Sequence, residues 1–65
     1  RNAFGITDRE AEVIGLVAEG LSNQQIADRI HVSLATVRTH LYNVFRKTGA
    51  RSRVDLLRMA AGYRE

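Results

Sequence analysis

Hydrophobic positions recur along this chain at helical spacing, and each run of them follows a capping signal. Thr7-Asp8-Arg9-Glu10 has the form of a capping box, in which the threonine oxygen accepts from the backbone N–H three residues on and the glutamate reaches back. It predicts a helix starting at Asp8. Ala11, Val13, Ile14, Val17 and Ala18 form its apolar face, and Gly20 supplies the left-handed residue after its end, with Leu21 folding back behind it. Gly15 lies inside this helix at a cost of about 1 kcal/mol relative to alanine, and nothing in the sequence accounts for it. Ser22-Asn23-Gln24-Gln25 repeats the box with glutamine as the reaching residue, which predicts a second, short helix over about Asn23 to Ile30 that buries Ile26, Ala27 and Ile30.

His31-Val32-Ser33 then gives a tight connection, with Ser33 as the next N-cap and Val32 as an apolar plug. The third helix begins at Leu34 and runs to about Thr48, where Gly49 ends it. Ser52-Arg53-Val54-Asp55 is a weaker box that opens a fourth helix fading near Gly62. Proline, repeats and strand-like alternation are absent. The pattern therefore predicts an all-α fold, a four-helix bundle. Two helices joined by about three residues, with Ala27 small enough for close crossing and Val37 packing back, read as a helix-turn-helix within it. An ordinary helical hairpin is the other reading of that pair. His31 occupies the turn position where glycine is frequent, and histidine tolerates positive φ better than most side chains.

Length narrows the function. Sixty-five residues allow one core and no second domain, so residues 1–65 are read as a single domain. A chain of this size buries only about 60% of its unfolded surface, and with no cysteine it has neither disulfides nor thiolate metal ligands to help. Regular helix packing and self-association remain. Hydrophobic residues at 45% and charged residues at 26% match a globular domain. No apolar run approaches the roughly 18 residues of a membrane span, and no signal peptide is present. The chain opens on Arg1, as expected of a piece of a longer protein.

The net charge of +3 is unevenly spread. Residues 1–21 carry Arg1 and Arg9 against Asp8, Glu10, Glu12 and Glu19, a net of −2. Residues 22–65 carry eight cations against Asp28, Asp55 and Glu65, a net of +5. Between Asp28 and Asp55 there is no acidic residue, while six cations fall there with His31 and His40. Such a stretch is either a solvated helix face or a polyanion footprint. On a helical wheel, Leu34, Val37, Leu41, Val44 and Phe45 fall within a stripe of about 100° that faces the core. The opposite face presents Ala35, Thr39, Tyr42 and Arg46, with Arg38 and Asn43 at its margins. Arginine can pair with guanine, asparagine with adenine, and threonine or tyrosine with base edges or phosphate. Tyr42 reads equally as a partly packed surface aromatic, and Arg46 as a phosphate contact or a solvated side chain.

These residues resemble the LuxR-type helix-turn-helix domain, also called the NarL/FixJ or GerE type, of bacterial transcription regulators. The resemblance rests on Ile6-Thr7-x-Arg9-Glu10-x-Glu12-Val13-Ile14, Gly20-Leu21-Ser22-Asn23-x-x-Ile26-Ala27, Ser33-x-x-Thr36-Val37-Arg38-x-His40, Lys47-x-Gly49 and Arg51-x-Arg53. It covers about residues 6–61. It implies a C-terminal domain that binds double-stranded DNA as a dimer, with the third helix in the major groove and an N-terminal receiver or ligand-binding domain in the parent protein. The DNA contacts it implies are Asn23, Gln24, Ser33, Ala35, Thr36, Arg38, Thr39, His40, Tyr42, Asn43, Arg46, Lys47 and Arg51. Among these, Arg38, Thr39 and Tyr42 are expected to carry sequence preference, while Arg46, Lys47 and Arg51 position the duplex. Gln24, Thr48 and Ala50 stand where lysine, leucine and valine are common in the family, and the missing lysine puts one phosphate contact in doubt.

In the fourth helix, Leu56, Leu57, Ala60 and Ala61 form a stripe sufficient to seal it onto the core, leaving Val54 and Met59 outside. Those two are scattered surface hydrophobes or a contact surface. The resemblance favours a homodimer through Val54, Asp55, Arg58 and Met59, weak without DNA because one short helix per partner buries little. It also implies RNA polymerase as a further partner and a cytoplasmic location. Enzyme readings lack their parts, since there is no phosphate loop, paired carboxylates or metal-ligand spacing; no catalytic residue, cofactor or metal is expected. His40 reads as packed or phosphate-contacting. The rival functions are a promoter-reading domain like sigma-factor region 4, against which the fourth helix argues, and a basic helical module for an acidic protein partner.

Overall fold

The computed structural model describes the backbone of residues 4–64 and the side chains of residues 4–60. Four helices follow in order: α1 (Asp8–Ala18), α2 (Asn23–Ile30), α3 (Leu34–Thr48) and α4 (Arg53–Arg64). The first three have the boundaries that the capping signals predict, and α4 runs two residues past Gly62. Ala61, assigned from sequence to the sealing stripe, lies outside the described side chains.

Each start is fixed by its own cap. Thr7 Oγ1 accepts the Glu10 N–H at 3.1 Å, and Glu10 Oε1 accepts the Thr7 N–H at 3.0 Å. Ser22 and Gln25 make the same reciprocal pair at 3.2 and 2.8 Å. Ser33 Oγ caps α3 through the Thr36 N–H at 3.1 Å. In α4 the box is half made: Ser52 Oγ accepts the Asp55 N–H, but the Asp55 carboxylate takes the N–H of Arg51 instead of Ser52. A cap of this kind contributes about 1 kcal/mol.

The ends are equally local. Gly20, at φ +91°, donates to Val17 O while Leu21 donates to Leu16 O, which is the paired closure that a left-handed residue permits. The α2 end uses His31 at φ +61°, ψ +46°, and the Val32 N–H closes onto Ala27 O at 3.0 Å. The helix-turn-helix angle is thus set by a histidine held where glycine would be unstrained.

Helix α1 packs against each of the other three. Its Val13, Leu16 and Val17 meet Ile26, Ala27 and Ile30 of α2, Val37, Leu41 and Val44 of α3, Ala50 of the last connection and Leu56 of α4 in one core. Leu16 corrects the sequence reading, which omitted it. Ala11, which that reading placed on the apolar face, is exposed. Val13 follows Glu10 by three positions, and Leu16 and Val17 follow Val13 by three and four, so the buried stripe is centred on Val13 and Val17 with Leu16 on its flank, and Ala11 falls outside it. Met59 is a second correction: expected outside the sealing stripe, it is half-buried against the core. Gly15 is exposed and lines a groove of about 320 Å³ between α1 and α4, with Ile6, Ile14, Thr48 and Met59 around it.

Candidate nucleic-acid interface

Because Val37, Leu41 and Val44 are buried, the pitch of α3 turns Ala35, Arg38, Thr39, Tyr42 and Arg46 outward, and all five are exposed. Leu34 and Phe45 flank the buried line and are half-buried, as are His40 and Asn43. The outward face is polar and cationic over its whole length. Arg38 makes no hydrogen bond or ion pair with any described residue and extends its guanidinium freely. Thr39 donates to Ala35 O at 3.1 Å, which holds its methyl and oxygen in one orientation. Tyr42 is 61% exposed, and the guanidinium of Arg46 lies over its ring at 5.7 Å.

At the start of α3, the Ser33 and Thr36 hydroxyls are 2.9 Å apart. Asn23 and Gln24 begin α2. Gln24 Nε2 donates to Asp28 Oδ1 at 3.1 Å, while Asn23 Oδ1 accepts from Arg53 Nη1 at 2.7 Å. Arg53 Nη2 donates also to Leu21 O at 2.7 Å. Arg51 is exposed, its backbone N–H held by Asp55.

Lys47 is placed differently from the other cations. Its ammonium lies 2.6 Å from Glu10 Oε1 and 3.1 Å from Gly5 O, so it ties the last turn of α3 to the chain entering α1. Glu10 is 4% exposed. Burial by itself would raise its carboxyl pKa, but the Lys47 ammonium and the Thr7 N–H outweigh this and hold it below the ordinary carboxylate value. Glu10 and Arg53, the partners of Lys47 and Asn23, were not among the DNA contacts read from sequence. Glu10 was visible as a capping residue and as part of the Ile6–Ile14 motif, neither of which pairs it with Lys47. For Arg53 the one signal was its place in the Arg51-x-Arg53 pair.

On α4, Val54 is 61% exposed and Arg58 is exposed. Asp55 is half-buried and engaged with Arg51. Among the described residues no group of three or more His, Cys, Asp or Glu could hold a metal ion, and no helix is long and apolar enough to cross a membrane.

The family model described as "Bacterial regulatory proteins, luxR family" matches residues 5–60. The chain belongs to the luxR family. This luxR-family domain is 46% identical over 52 residues to a monoamine regulon transcriptional regulator from Klebsiella aerogenes, covering 80% of this chain and 23% of that protein. Identity to the C4-dicarboxylate transport transcriptional regulatory protein DctR of Rhodobacter capsulatus is 50% over 50 residues, 77% of this chain and 25% of that one. Identity to the HTH-type transcriptional regulator MalT of Yersinia enterocolitica is 40% over 55 residues, 85% of this chain and 6% of that one. The chain thus spans a quarter or less of these relatives. Membership makes it a DNA-binding helix-turn-helix domain of the transcription-regulator type.

Proposed function

We propose that this luxR-family domain binds a double-stranded DNA operator, with α3 in the major groove, and thereby regulates bacterial transcription. The observation that carries the reading is the α3 face itself. Arg38, Thr39, Tyr42 and Arg46 all point outward from a helix anchored by a buried Val37–Leu41–Val44 line, and no carboxylate occurs between Asp28 and Asp55. Arg38 and Thr39 lie in the first half of α3 and Tyr42 just past its middle, and in helix-turn-helix domains the N-terminal part of this helix reaches base edges. Arg46 and Arg51 serve phosphates. Lys47 contributes by fixing α3 against α1, its charge being already met by Glu10.

Two copies bind as a dimer through α4, centred on exposed Val54 and Arg58. One short helix per partner is far from the roughly 1,200–2,000 Å² of a stable interface, so the pair is weak alone and is held by adjacent half-sites at high effective concentration. The parent protein is a cytoplasmic regulator with a receiver or ligand-binding domain, acting at promoters together with RNA polymerase.

The test is fluorescence anisotropy against duplex DNA across a salt series, with and without polyanionic competitor. About four to six phosphate contacts give a slope of about −4 to −5 in log K against log salt. Absence of binding at low salt rejects the reading, and preference for an acidic protein over duplex DNA replaces it with a protein-interaction module.

A further inference from the structure

We propose that Arg53 is a positioning residue for DNA binding: it holds the Asn23 carboxamide with its NH2 group turned outward, as a dedicated hydrogen-bond donor to a DNA phosphate. The inference rests on the DNA-binding reading above and adds a residue and a mechanism to it.

The local chemistry fixes which way the amide points. Asn23 could in principle present either its oxygen or its nitrogen to a neighbour. Its neighbour is Arg53 Nη1 at 2.7 Å, and a guanidinium has five donors and no acceptor. An NH2 group turned toward it would set donor against donor, so Oδ1 faces Arg53. Since the oxygen and nitrogen of a planar amide diverge, Nδ2 is directed away from the guanidinium. Nδ2 donates to no described residue, and Asn23 is only half-buried, so both N–H bonds remain available for an external acceptor.

The support behind the amide is rigid. The second arm of Arg53 donates to Leu21 O at 2.7 Å, and Leu21 is already tied by its own N–H to Leu16 O at the closed end of α1. Ser22, between them, is held at both its backbone N–H and its hydroxyl by Gln25. The guanidinium fork therefore spans two acceptors on a stretch of backbone with little freedom. A lysine at 53 carries rotatable donors on a single nitrogen and cannot reproduce the fixed planar fork that sets Asn23 Oδ1 and Leu21 O at one relative geometry.

The charge also stands out. Both partners of Arg53 are neutral, and it pairs with no carboxylate among the described residues. A half-buried, un-neutralised guanidinium thus sits directly behind an amide donor. It polarises that amide, since a carbonyl oxygen drawn toward a cation makes its N–H bonds stronger donors, and it adds positive potential on the side where the phosphate is to bind. Structural need alone would be met equally well by an aspartate at 23, which would pair with Arg53 more strongly. An asparagine keeps the clamp while leaving a donor outside.

That contrast supplies the experiment. The whole chain and the variants Asn23→Asp, Asn23→Ala, Arg53→Lys and Asn23→Ala/Arg53→Lys are titrated into a fluorescein-labelled mixed-sequence duplex of about 20 base pairs at low salt. Such a duplex suffices because a phosphate contact carries no sequence information. Thermal melts are recorded in parallel. Asn23→Asp keeps the clamp and is expected to melt at or above the unsubstituted domain while its affinity falls about tenfold or more. Asn23→Ala and Arg53→Lys, neither of which changes net charge, are each expected to weaken binding about three- to fivefold. Arg53→Lys is expected to have no further effect once Asn23 is alanine, because it acts through that amide. Asn23→Asp binding within twofold of the unsubstituted domain overturns the inference, as does a multiplicative loss in the double variant. Should Arg53→Lys fail to fold, Asn23→Ala, which leaves the net charge unchanged, decides in its place, and binding within twofold of the unsubstituted domain overturns the inference. If the unsubstituted domain binds no duplex, the DNA reading fails and this inference with it; if it binds and the variants bind equally, the DNA reading stands and the roles of Asn23 and Arg53 fail.

Discussion

The guanidinium of Arg46 lies over the ring of Tyr42, one turn earlier on α3, with 5.7 Å between its carbon and the ring centre. Both side chains are exposed, and a stack of this kind contributes about 0.5–1 kcal/mol in water. It restricts a long cation to the outward face of the helix. On the DNA-binding function proposed above, Tyr42 has two separable uses, its hydroxyl as a base or phosphate contact and its ring as a support for Arg46. Tyr42→Phe keeps the ring and is expected to cost less than threefold in DNA affinity if support dominates, whereas Tyr42→Leu loses both. Measured by anisotropy, a large loss in Tyr42→Phe on a preferred site, and not on mixed-sequence DNA, assigns the hydroxyl to base reading.

The Glu10–Lys47 pair makes stability depend on pH with a defined sign. The Glu10 carboxyl has a folded pKa below its ordinary value of 4.5, so its contribution is fully present above the unfolded pKa. It is lost as pH falls through the folded one. Urea melts of the unsubstituted domain should weaken on the acid side, and Glu10→Gln should flatten that part of the profile. Lys47→Met leaves the Glu10 carboxylate with the Thr7 N–H alone and is expected to cost about 1–2 kcal/mol at pH 7, since Lys47 keeps 32% of its side chain in water and the pair is partly screened. If the DNA salt slope drops by about one unit while stability is unchanged, Lys47 is a phosphate contact after all.

Two single substitutions should stabilise the domain. His31 occupies the left-handed region at φ +61°, where glycine has no side-chain clash, and it is exposed, so His31→Gly gives up little packing. Relief of strain offsets the added freedom of the unfolded chain, for a net gain of about 0.5–1 kcal/mol. Gly15 lies mid-helix with no positive φ, and an added Cβ would meet nothing within 4 Å. Gly15→Ala should therefore recover about 0.5–1 kcal/mol of helix propensity. In a domain of this size each gain raises Tm by roughly 2–8 °C. A fall in Tm for Gly15→Ala would mean that the groove beside it must stay open.

How far the sequence carries the argument depends on the range of each interaction. Helices α1 to α3 were legible to the residue because their caps act over three or four positions: Thr7 with Glu10, Ser22 with Gln25, Ser33 with Thr36. The outward face of α3 followed from the same periodicity that buried Val37, Leu41 and Val44. What escaped was long-range. Lys47 meets Glu10 across 37 positions and Arg53 meets Asn23 across 30, and no local pattern marks either pair. A lysine near the end of a basic helix looks like any phosphate contact until its partner is placed beside it. Leu16 is a different case: it stands three positions after Val13 on the buried stripe, and the sequence reading placed that stripe toward Ala11, Ile14 and Ala18 instead.

The dimer surface can be tested on Val54. It is 61% exposed although it sits in the first turn of α4, next to Arg53, whose fork is occupied by Asn23 and Leu21. Met59, the other candidate, is half-buried against the core and lines the groove beside Gly15, so substitution there would confound folding with association. Val54→Glu puts a charge on an open position and should leave helicity and Tm nearly unchanged, within the about 0.5 kcal/mol usual for surface substitutions. On a duplex with two half-sites about one helical turn apart, the spacing that suits a two-fold dimer, the loss of affinity should be tenfold or more. On a single half-site the variant should bind within about twofold of the unsubstituted domain, because only the added glutamate charge is felt there. Equal affinity for the paired sites, with helicity intact, would remove Val54 from the dimer surface and leave each copy to bind its half-site alone.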